Sequence, residues 1–480
     1  MARFSLSGND MHLPLFVFCR PLSKMVHLKT NTRARDGKSC RGAGPKISRV
    51  QGLFEGRKTP AKRIQLEGAA MTFSPTDRFF EELDSSVLSV QKAQALPPLC
   101  YTDRDFYEFE KEAVFNHEWL CVGRESWLAK AGDYFTTRIV GEPLVIARNR
   151  AGEIKAMSSV CQHRAMLVAE GHGNTNAFLC PYHHWTYSLD GDLIGAPAME
   201  QTAGFDKKAF CLPTLKVEVW QGFVFVNFDA AAESLAPRLA EVTQALANFD
   251  LANLDGPRPD KPAHFQWNWK VMFENNNDGY HANRLHHGPL HDFVPSAMAS
   301  FPDLPDTTAG YYRFNGTLHQ DASFNATQRA VLPVFPKLTI EERNRMMFAN
   351  VPPTLSLVMT SDMVIYMILR ADGPETHEMD TGLLFAPGAM EDPLFQQRMA
   401  MNMHAASEII AQDLHVDELV QVGLRSRFAT RGRYSWQEQA QREFNNWLVP
   451  RYQSAWKSGG IGARRISIHN APAAAPAHGS

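Results

Sequence analysis

A chain of 480 residues with 44% apolar and 21% charged residues is long enough for two or three domains with buried cores and has an ordinary globular composition. Its net charge of −2 excludes an overall basic nucleic-acid binder, and no apolar run approaches the ~20 residues of a membrane-spanning helix. Seven scattered cysteines argue against a disulfide framework and for a reducing, cytoplasmic compartment.

Residues 1–70 carry 14 Lys and Arg against 4 Asp and Glu, with no sustained apolar period. Three readings compete for this leader: a disordered basic arm, a targeting segment, or a stretch outside the native protein. The third is preferred. Glu67-Gly68 needs a purine-rich GAR-GGN two codons before Met71, where a bacterial ribosome-binding site would sit, so native translation is expected to start at Met71.

From Met71 the first segment, 71–117, is expected to be helical and to pack on the later domain. Phe106, Phe109, Val114 and Phe115 recur at helical spacing over Asp103 to His117, with Thr102 as the expected cap. Over 118–228 the pattern changes to short strands with Gly, Asp and Asn turns, such as Pro143 to Ala147 and Gly222 to Asn227. Within it lie Cys161-Gln162-His163-Arg164 and, sixteen residues on, Cys180-Pro181-Tyr182-His183. Four such ligands could hold zinc. Zinc fingers usually group cysteines in one knuckle and histidines in the other, whereas each knuckle here has one of each. That order suits a [2Fe–2S] cluster with both cysteines on one iron and both histidines on the other. Neutral imidazoles there leave less negative charge and raise the potential.

Cys161-x-His163-Arg164 and Cys180-Pro181-Tyr182-His183-x-Trp185-x-Tyr187-x-x-x-Gly191 resemble the Rieske signature of ring-hydroxylating oxygenase large (alpha) subunits. Ala165 stands where that family usually has Gly, and His184 where it usually has a small residue. Neither is a ligand position. The resemblance implies an α+β protein: a small all-β Rieske domain over 118–228, and a catalytic domain over 229–458 with an antiparallel sheet and a mononuclear iron.

Over 229–458, Ala230 to Phe249 reads as helical, a Pro-rich connector follows, Thr354 to Leu369 and Thr381 to Phe385 read as strands, and Pro393 to Gly423 reads as one long helix. A non-haem Fe(II) site needs two imidazoles and one carboxylate on one face. His281 and His286 could supply the imidazoles. Five residues is an awkward helical interval, about 140° round the axis, so the helix must distort between them, and the spacing alone is weak. Asp278-x-x-His281-x-x-x-x-His286 resembles the family's iron motif, which implies His281, His286 and Asp413 as ligands. Asp413 is placed by the Gln421-Val422-Gly423-Leu424-Arg425-Ser426 stretch that follows. Asp417 competes, as a solvated acid one turn on. In the family the Asp matching Asp278 bridges a cluster histidine and an iron histidine of neighbouring subunits, here His183 and His281. A carboxylate there would fix both rings and give electrons a hydrogen-bonded route. The tail over 459–480 is Gly-, Ala- and Pro-rich and is expected to be disordered.

The resemblance implies a terminal oxygenase that takes electrons from NAD(P)H through a flavin reductase, with or without a ferredoxin. It implies a homotrimer, with beta subunits possible. No nucleotide-binding Gly-rich loop occurs in the chain itself, and neither nucleic acid nor membrane is an expected partner. The expected substrate is an aromatic ring or aromatic acid. The alternative is a small quaternary ammonium compound, with Phe293, Phe301, Tyr311, Tyr312, Phe314 and Tyr366 as candidates for an aromatic cage. Arg313 is the candidate cation for an acid. An electron carrier with a vestigial second domain is the remaining alternative.

Overall fold

The computed structural model describes residues 76–305 and 308–459. The expected leader over 1–70, the start at Met71 and the tail after Gly459 lie outside them. The described chain opens with α1 (Asp77–Glu82), α2 (Leu99–Thr102) and α3 (Arg104–Glu110), followed by a wider π-turn over Lys111–Phe115. Thr102 closes α2, where its hydroxyl donates to Pro98 O. Asp103 is therefore the cap of α3: extended at φ −90°, it accepts from the Phe106 N–H through its side chain. The buried face of α3 is Phe106, Tyr107, Phe109 and Glu110.

A first antiparallel sheet follows. Its strands are β1 (Leu120–Arg124), β2 (Asp133–Ile139), β3 (Glu142–Arg148), β4 (Ile154–Ser158), β5 (His172–Asn174), β9 (Thr214–Trp220) and β10 (Phe223–Asn227), in the order β1-β10-β9-β4-β3-β2-β5. Between β5 and β9 the chain forms a separate three-stranded sheet of β6 (Phe178–Leu179), β7 (Thr186–Tyr187) and β8 (Leu193–Gly195). β1 and β10 are buried at every position because both faces are covered, and so Leu120–Val122 and Phe223–Val226 read as continuous apolar runs.

The Ala-rich stretch after 229 is not one helix. It breaks into α4 (Leu235–Arg238), α5 (Ala240–Leu246) and a 3₁₀ turn over Ala247–Phe249. The break falls at Leu239, whose backbone leaves the helical region (φ −110°, ψ 13°) while its side chain is fully buried.

The second sheet is antiparallel and has the order β11-β17-β16-β15-β14-β13-β12. Its strands are β11 (Ala263–Phe265), β12 (Ala299–Ser300), β13 (Tyr311–Gly316), β14 (Arg345–Val351), β15 (Leu355–Met359), β16 (Val364–Gly373) and β17 (Thr376–Leu384). The helices of this half are α6 (Trp269–Asn277), α7 (Phe395–Leu424) and α8 (Gln439–Lys457). α6 contacts β16, α7 and α8. The two large sheets meet where Phe223 of β10 packs edge-on to Tyr366 of β16 and the Cys121 N–H donates to Thr354 Oγ1.

One buried network fixes the start of α6. Lys270 Nζ lies 2.7 Å from Glu110 Oε1, with both side chains fully buried. Trp269 Nε1 donates to Glu110 Oε2 at 2.9 Å, and the Tyr452 hydroxyl donates to the same carboxylate. Three donors from α6 and α8 thus satisfy one acid on α3. Removing one partner of such a pair strands a buried charge. Lys270→Met is expected to cost about 3–5 kcal/mol, read by chemical denaturation. The double change Glu110→Leu/Lys270→Met should recover part of that loss, because no charge is then left unpaired.

Candidate metal centres

The two loops of the first half are built alike. In one, the Cys161 N–H donates to Met166 O at 2.8 Å and the Ala165 N–H donates to Cys161 O at 3.0 Å. In the other, the Cys180 N–H donates to Trp185 O at 2.8 Å and the His184 N–H donates to Cys180 O at 3.0 Å. Ala165 and His184 sit at the same corner and both have φ +58°. The left-handed corner explains why a glycine would be at home there and what these side chains cost: roughly 1–2 kcal/mol each in backbone strain.

The loops bring their four candidate ligands together in two layers. Cys161 and Cys180 are buried, with Tyr187 OH 3.3 Å from Cys161 Sγ. His163 is exposed and His183 half-buried, their ring centroids 4.5 Å apart. Trp185 stacks on His163 at 4.8 Å, and Phe205 and Phe210 pack behind it. Although the His183 ring reaches the surface, its Nδ1 is buried with no partner among the described residues. Burial, then His163 and Arg164, lowers its proton affinity. A buried nitrogen without a partner, on a loop paired with two buried thiols, fits a mixed Cys/His cluster with the histidine side outward.

The second centre forms where α6 ends. Asn268 caps the helix by accepting from the Lys270 N–H, and the chain leaves it at Asp278, which is extended (φ −79°, ψ 107°). A 3₁₀ turn over His281–Asn283 and irregular turns through Leu290 follow. Because no regular helix joins His281 to His286, the awkward five-residue interval is no obstacle. His281 Nε2 lies 3.1 Å from His286 Nε2, and Asp413 Oδ1 on α7 lies 2.9 Å from His286 Nε2 and 3.5 Å from His281 Nε2. By direction, however, Asp413 Oδ1 has no hydrogen-bond partner among the described residues. Three potential ligand atoms thus lie within 3.5 Å of one another, the two imidazole nitrogens in hydrogen-bond geometry. Ligands at about 2.1 Å on one face of an octahedral ion lie about 3 Å apart, so the set fits a mononuclear iron. This second group also has a way in, since it borders a cavity of about 130 Å³ between α6, α7 and the second sheet.

The remaining imidazole nitrogens are held. His281 Nδ1 is 3.0 Å from Asp278 Oδ2, while Asp278 Oδ1 accepts from the Tyr280 N–H at 2.6 Å. His286 Nδ1 donates to Gln412 Oε1 at 2.8 Å. Each partner leaves Nε2 as the ligating nitrogen. Gln412 was not singled out by the sequence, where only its place beside Asp413 hinted at it. Gln421 proves more than a landmark. Fully buried two turns beyond Asp413, it accepts from the Asn268 N–H at 2.8 Å and donates to Tyr101 O and Glu375 Oε1, so it docks α7 on the N-cap of α6.

Asp417 is not the solvated acid expected. It is buried, accepts from Asn275 Nδ2 at 2.9 Å, and its carboxyl is held well above the usual range by burial, outweighing that hydrogen bond, with Asp413 and Glu274 adding to the rise. Glu274, half-buried and hydrogen-bonded to Tyr101, is pushed up to about 7 by desolvation. None of the six cage candidates lines the cavity. Tyr366 faces the other sheet, and Tyr312 and Phe314 lie on the opposite face of β13 from Arg313. Phe324, Phe348 and four methionines line it instead, together with Arg313. A larger cleft of about 380 Å³ opens between β2 and β16–β17 and contains none of the candidate ligands.

Residues 118–215 match the family described as the Rieske [2Fe-2S] domain, and 252–454 match that described as the ring hydroxylating alpha subunit (catalytic domain). The chain belongs to the Rieske oxygenase alpha subunits. Its two domains are of the types that carry a [2Fe–2S] cluster and a mononuclear iron. The carnitine monooxygenase oxygenase subunit of Acinetobacter pittii (strain PHEA-2) is 36% identical over 202 residues, covering 41% of this alpha subunit and 53% of its own length. This alpha subunit thus spans about half the length of that relative. The biphenyl 2,3-dioxygenase subunit alpha of Rhodococcus jostii (strain RHA1) is 30% identical over 274 residues, 54% of this chain and 58% of its own. A solved structure of a quaternary ammonium Rieske monooxygenase superposes with a TM-score of 0.65 at 25% identity, over 79% of this chain and 99% of that one.

Two outcomes are expected at the second centre. Gln412→Leu should weaken iron binding roughly 10- to 100-fold, measured by chelator competition, while acid-labile sulfide stays unchanged. The proton affinity of His286 is disfavoured by burial, but Asp413 and Gln412 outweigh this and hold it above the ordinary value near 6.5. Iron must displace that proton. Loading should therefore fall as pH drops through a midpoint above 6.5, by about tenfold per pH unit once below it, read by titrating Fe(II) anaerobically.

Proposed function

We propose that this chain is the terminal oxygenase of a multicomponent system and that it monooxygenates a small quaternary ammonium compound. The observation that carries the oxygenase reading is the convergence of His281, His286 and Asp413 on one point at the wall of an apolar cavity. Cys161, His163, Cys180 and His183 would hold the cluster, and the converging three would hold the iron. When bound, these groups supply one-electron transfer and activation of O2. Two electrons and two protons are needed for one oxygen atom to enter the substrate and the other to leave as water. The electrons would come from NAD(P)H through a separate reductase.

The chain's own residues do the positioning. Asp278 keeps the His281 proton on Nδ1 and, with its remaining lone pairs, would accept from His183 of a neighbouring copy. A head-to-tail trimer supplies that neighbour. Exposed apolar rings beside each site fit such a contact: Tyr182 is 54% exposed next to His183, and Tyr280 is 55% exposed next to His281. Leu290, Val358, Ile365 and the methionines exclude water from the cavity.

Size and similarity favour a small substrate. The volume of about 130 Å³ is close to that of a ~150 Å³ cavity that holds benzene, which suits a compact substrate better than a polycyclic one. The relatives described above include a carnitine monooxygenase and a quaternary ammonium monooxygenase. The aromatic-acid reading is kept because a guanidinium lines the cavity and none of the six expected cage rings does.

The test is a single turnover of iron-loaded protein, reduced without air and then given O2 with one substrate at a time. A betaine that loses one methyl as formaldehyde supports the proposal. An aromatic acid gaining one or two oxygen atoms, with betaines unreacted, transfers the enzyme to the ring-hydroxylating reading. Asp278→Asn should retain both metals but lose coupled turnover; turnover at the wild-type level would remove Asp278 from the electron route.

A further inference from the structure

We propose that Arg313 is the specificity-determining residue of the cavity and that the substrate carries a carboxylate which this guanidinium binds. This deepens the reading of the cavity as the substrate site and rests on it. Arg313 sits on β13, 4% exposed, on the same face as Tyr311 and Asn315. It lines the same cavity as His281 and His286, which follow α6, and Asp413 of α7. Its guanidinium lies over the Phe348 ring, 3.7 Å from the centroid. Nη1 donates to Asn315 Oδ1 at 2.6 Å, and Nη2 makes a long contact of 3.4 Å to Asn276 O. Nε is buried and has no partner among the described residues.

A guanidinium has five N–H donors. Two are committed here, one of them weakly. Among the described residues no ion pair within 4.0 Å reaches Arg313, whereas two other buried cations of this half, Lys270 and Arg370, each have a carboxylate at 2.7 Å. Burying an unpaired charge is costly, and proteins normally satisfy it. Desolvation lowers the Arg313 pKa to about 10, with Asp278 and Tyr311 opposing, so it remains a cation at neutral pH. Stacked on Phe348 and tethered by Asn315, the fork is held in place with N–H groups to spare. That arrangement suits a planar, bidentate anion.

Apart from the candidate ligands and Asn275, Asn276, Asp278 and Thr381, the remaining walls are apolar: Phe324, the methionines and the aliphatic side chains would face the rest of the substrate. A betaine would place its N-methyl groups there and an aromatic acid its ring. Both share the carboxylate, and a neutral alcohol or hydrocarbon lacks it.

Binding to the iron-loaded, oxidised protein is measured by calorimetry with matched probes that differ at the acid end, charged in one and neutral in its partner: glycine betaine against its methyl ester, whose ammonium stays charged, and benzoate against benzamide. In the wild type one acid should bind roughly 10- to 100-fold more tightly than its neutral partner, and which acid does so separates the betaine from the aromatic-acid source. Arg313→Gln should abolish that preference while leaving the neutral partner within about twofold, and Arg313→Lys should restore part of it. Equal binding of acid and neutral probe by the wild type, no binding of any probe, or equal weakening of both partners in Arg313→Gln would overturn the assignment. The last of these would mark a structural arginine. Met367→Trp, which fills the cavity, tests the underlying reading. If it leaves acid binding intact, the cavity is not the site. If it blocks binding while Arg313→Gln keeps the acid preference, only the role of Arg313 fails. Cluster absorbance and thermal unfolding confirm that each variant is folded.

Discussion

Two imidazole nitrogens and a carboxylate oxygen held within 3.5 Å of one another are the constraint on which the second half of the molecule depends. Such atoms do not gather by themselves. A neutral imidazole nitrogen and a carboxylate both present lone pairs, which repel unless a cation or a proton lies between them. The raised proton affinity of His286 is the same fact seen without metal: Asp413 favours a positive charge at that spot strongly enough to outweigh burial. The scaffold must hold the three against this cost.

It does so with a buried polar framework rather than with apolar packing alone. Glu110 collects Lys270, Trp269 and Tyr452, fixing α6 against α3 and α8. Gln421 ties α7 to the first residues of α6, so that Asp413, on the same helix, meets the histidines that follow α6. The three consecutive asparagines of α6 divide the other tasks. Asn275 reaches Asp417 on α7, while Asn276 and Asn277 bond Ser356 and Asn350 of the sheet. These side chains offer fixed directions as well as energy. A satisfied buried network is therefore well suited to holding a metal site whose tolerance is a few tenths of an ångström.

Much of this was legible in the sequence, and the limits have physical causes. Cys161, His163, Cys180 and His183 lie in short turns, where spacing nearly determines geometry, and the structure brings them together. The long helix expected over Pro393 to Gly423 is found as α7, because its 30 residues contain no breaker. His281 and His286 were ambiguous because helical spacing was the wrong ruler: the chain leaves α6 at Asp278. Asp417 was misjudged since a carboxylate is ordinarily solvated, and only the tertiary contact with Asn275 shows it buried. Two of the cage candidates, Tyr312 and Phe314, miss the cavity for a reason intrinsic to strands. Successive residues of β13 face opposite ways, and nothing in Tyr311-Tyr312-Arg313-Phe314 says which set faces the iron residues. The break at Leu239 likewise follows from what Leu239 buries against rather than from local propensity.

On the proposed reading the two halves divide the labour: the exposed His163–His183 edge would receive and pass electrons, and the pocket beside His281, His286 and Asp413 would take a small substrate. Metal and sulfide analysis of the wild type beside Asp413→Ala tests this most directly. The account predicts about three irons and two labile sulfides per wild-type chain, and in the variant the loss of one iron with both sulfides retained. A wild type with about two irons, or a variant that keeps all three, would contradict it.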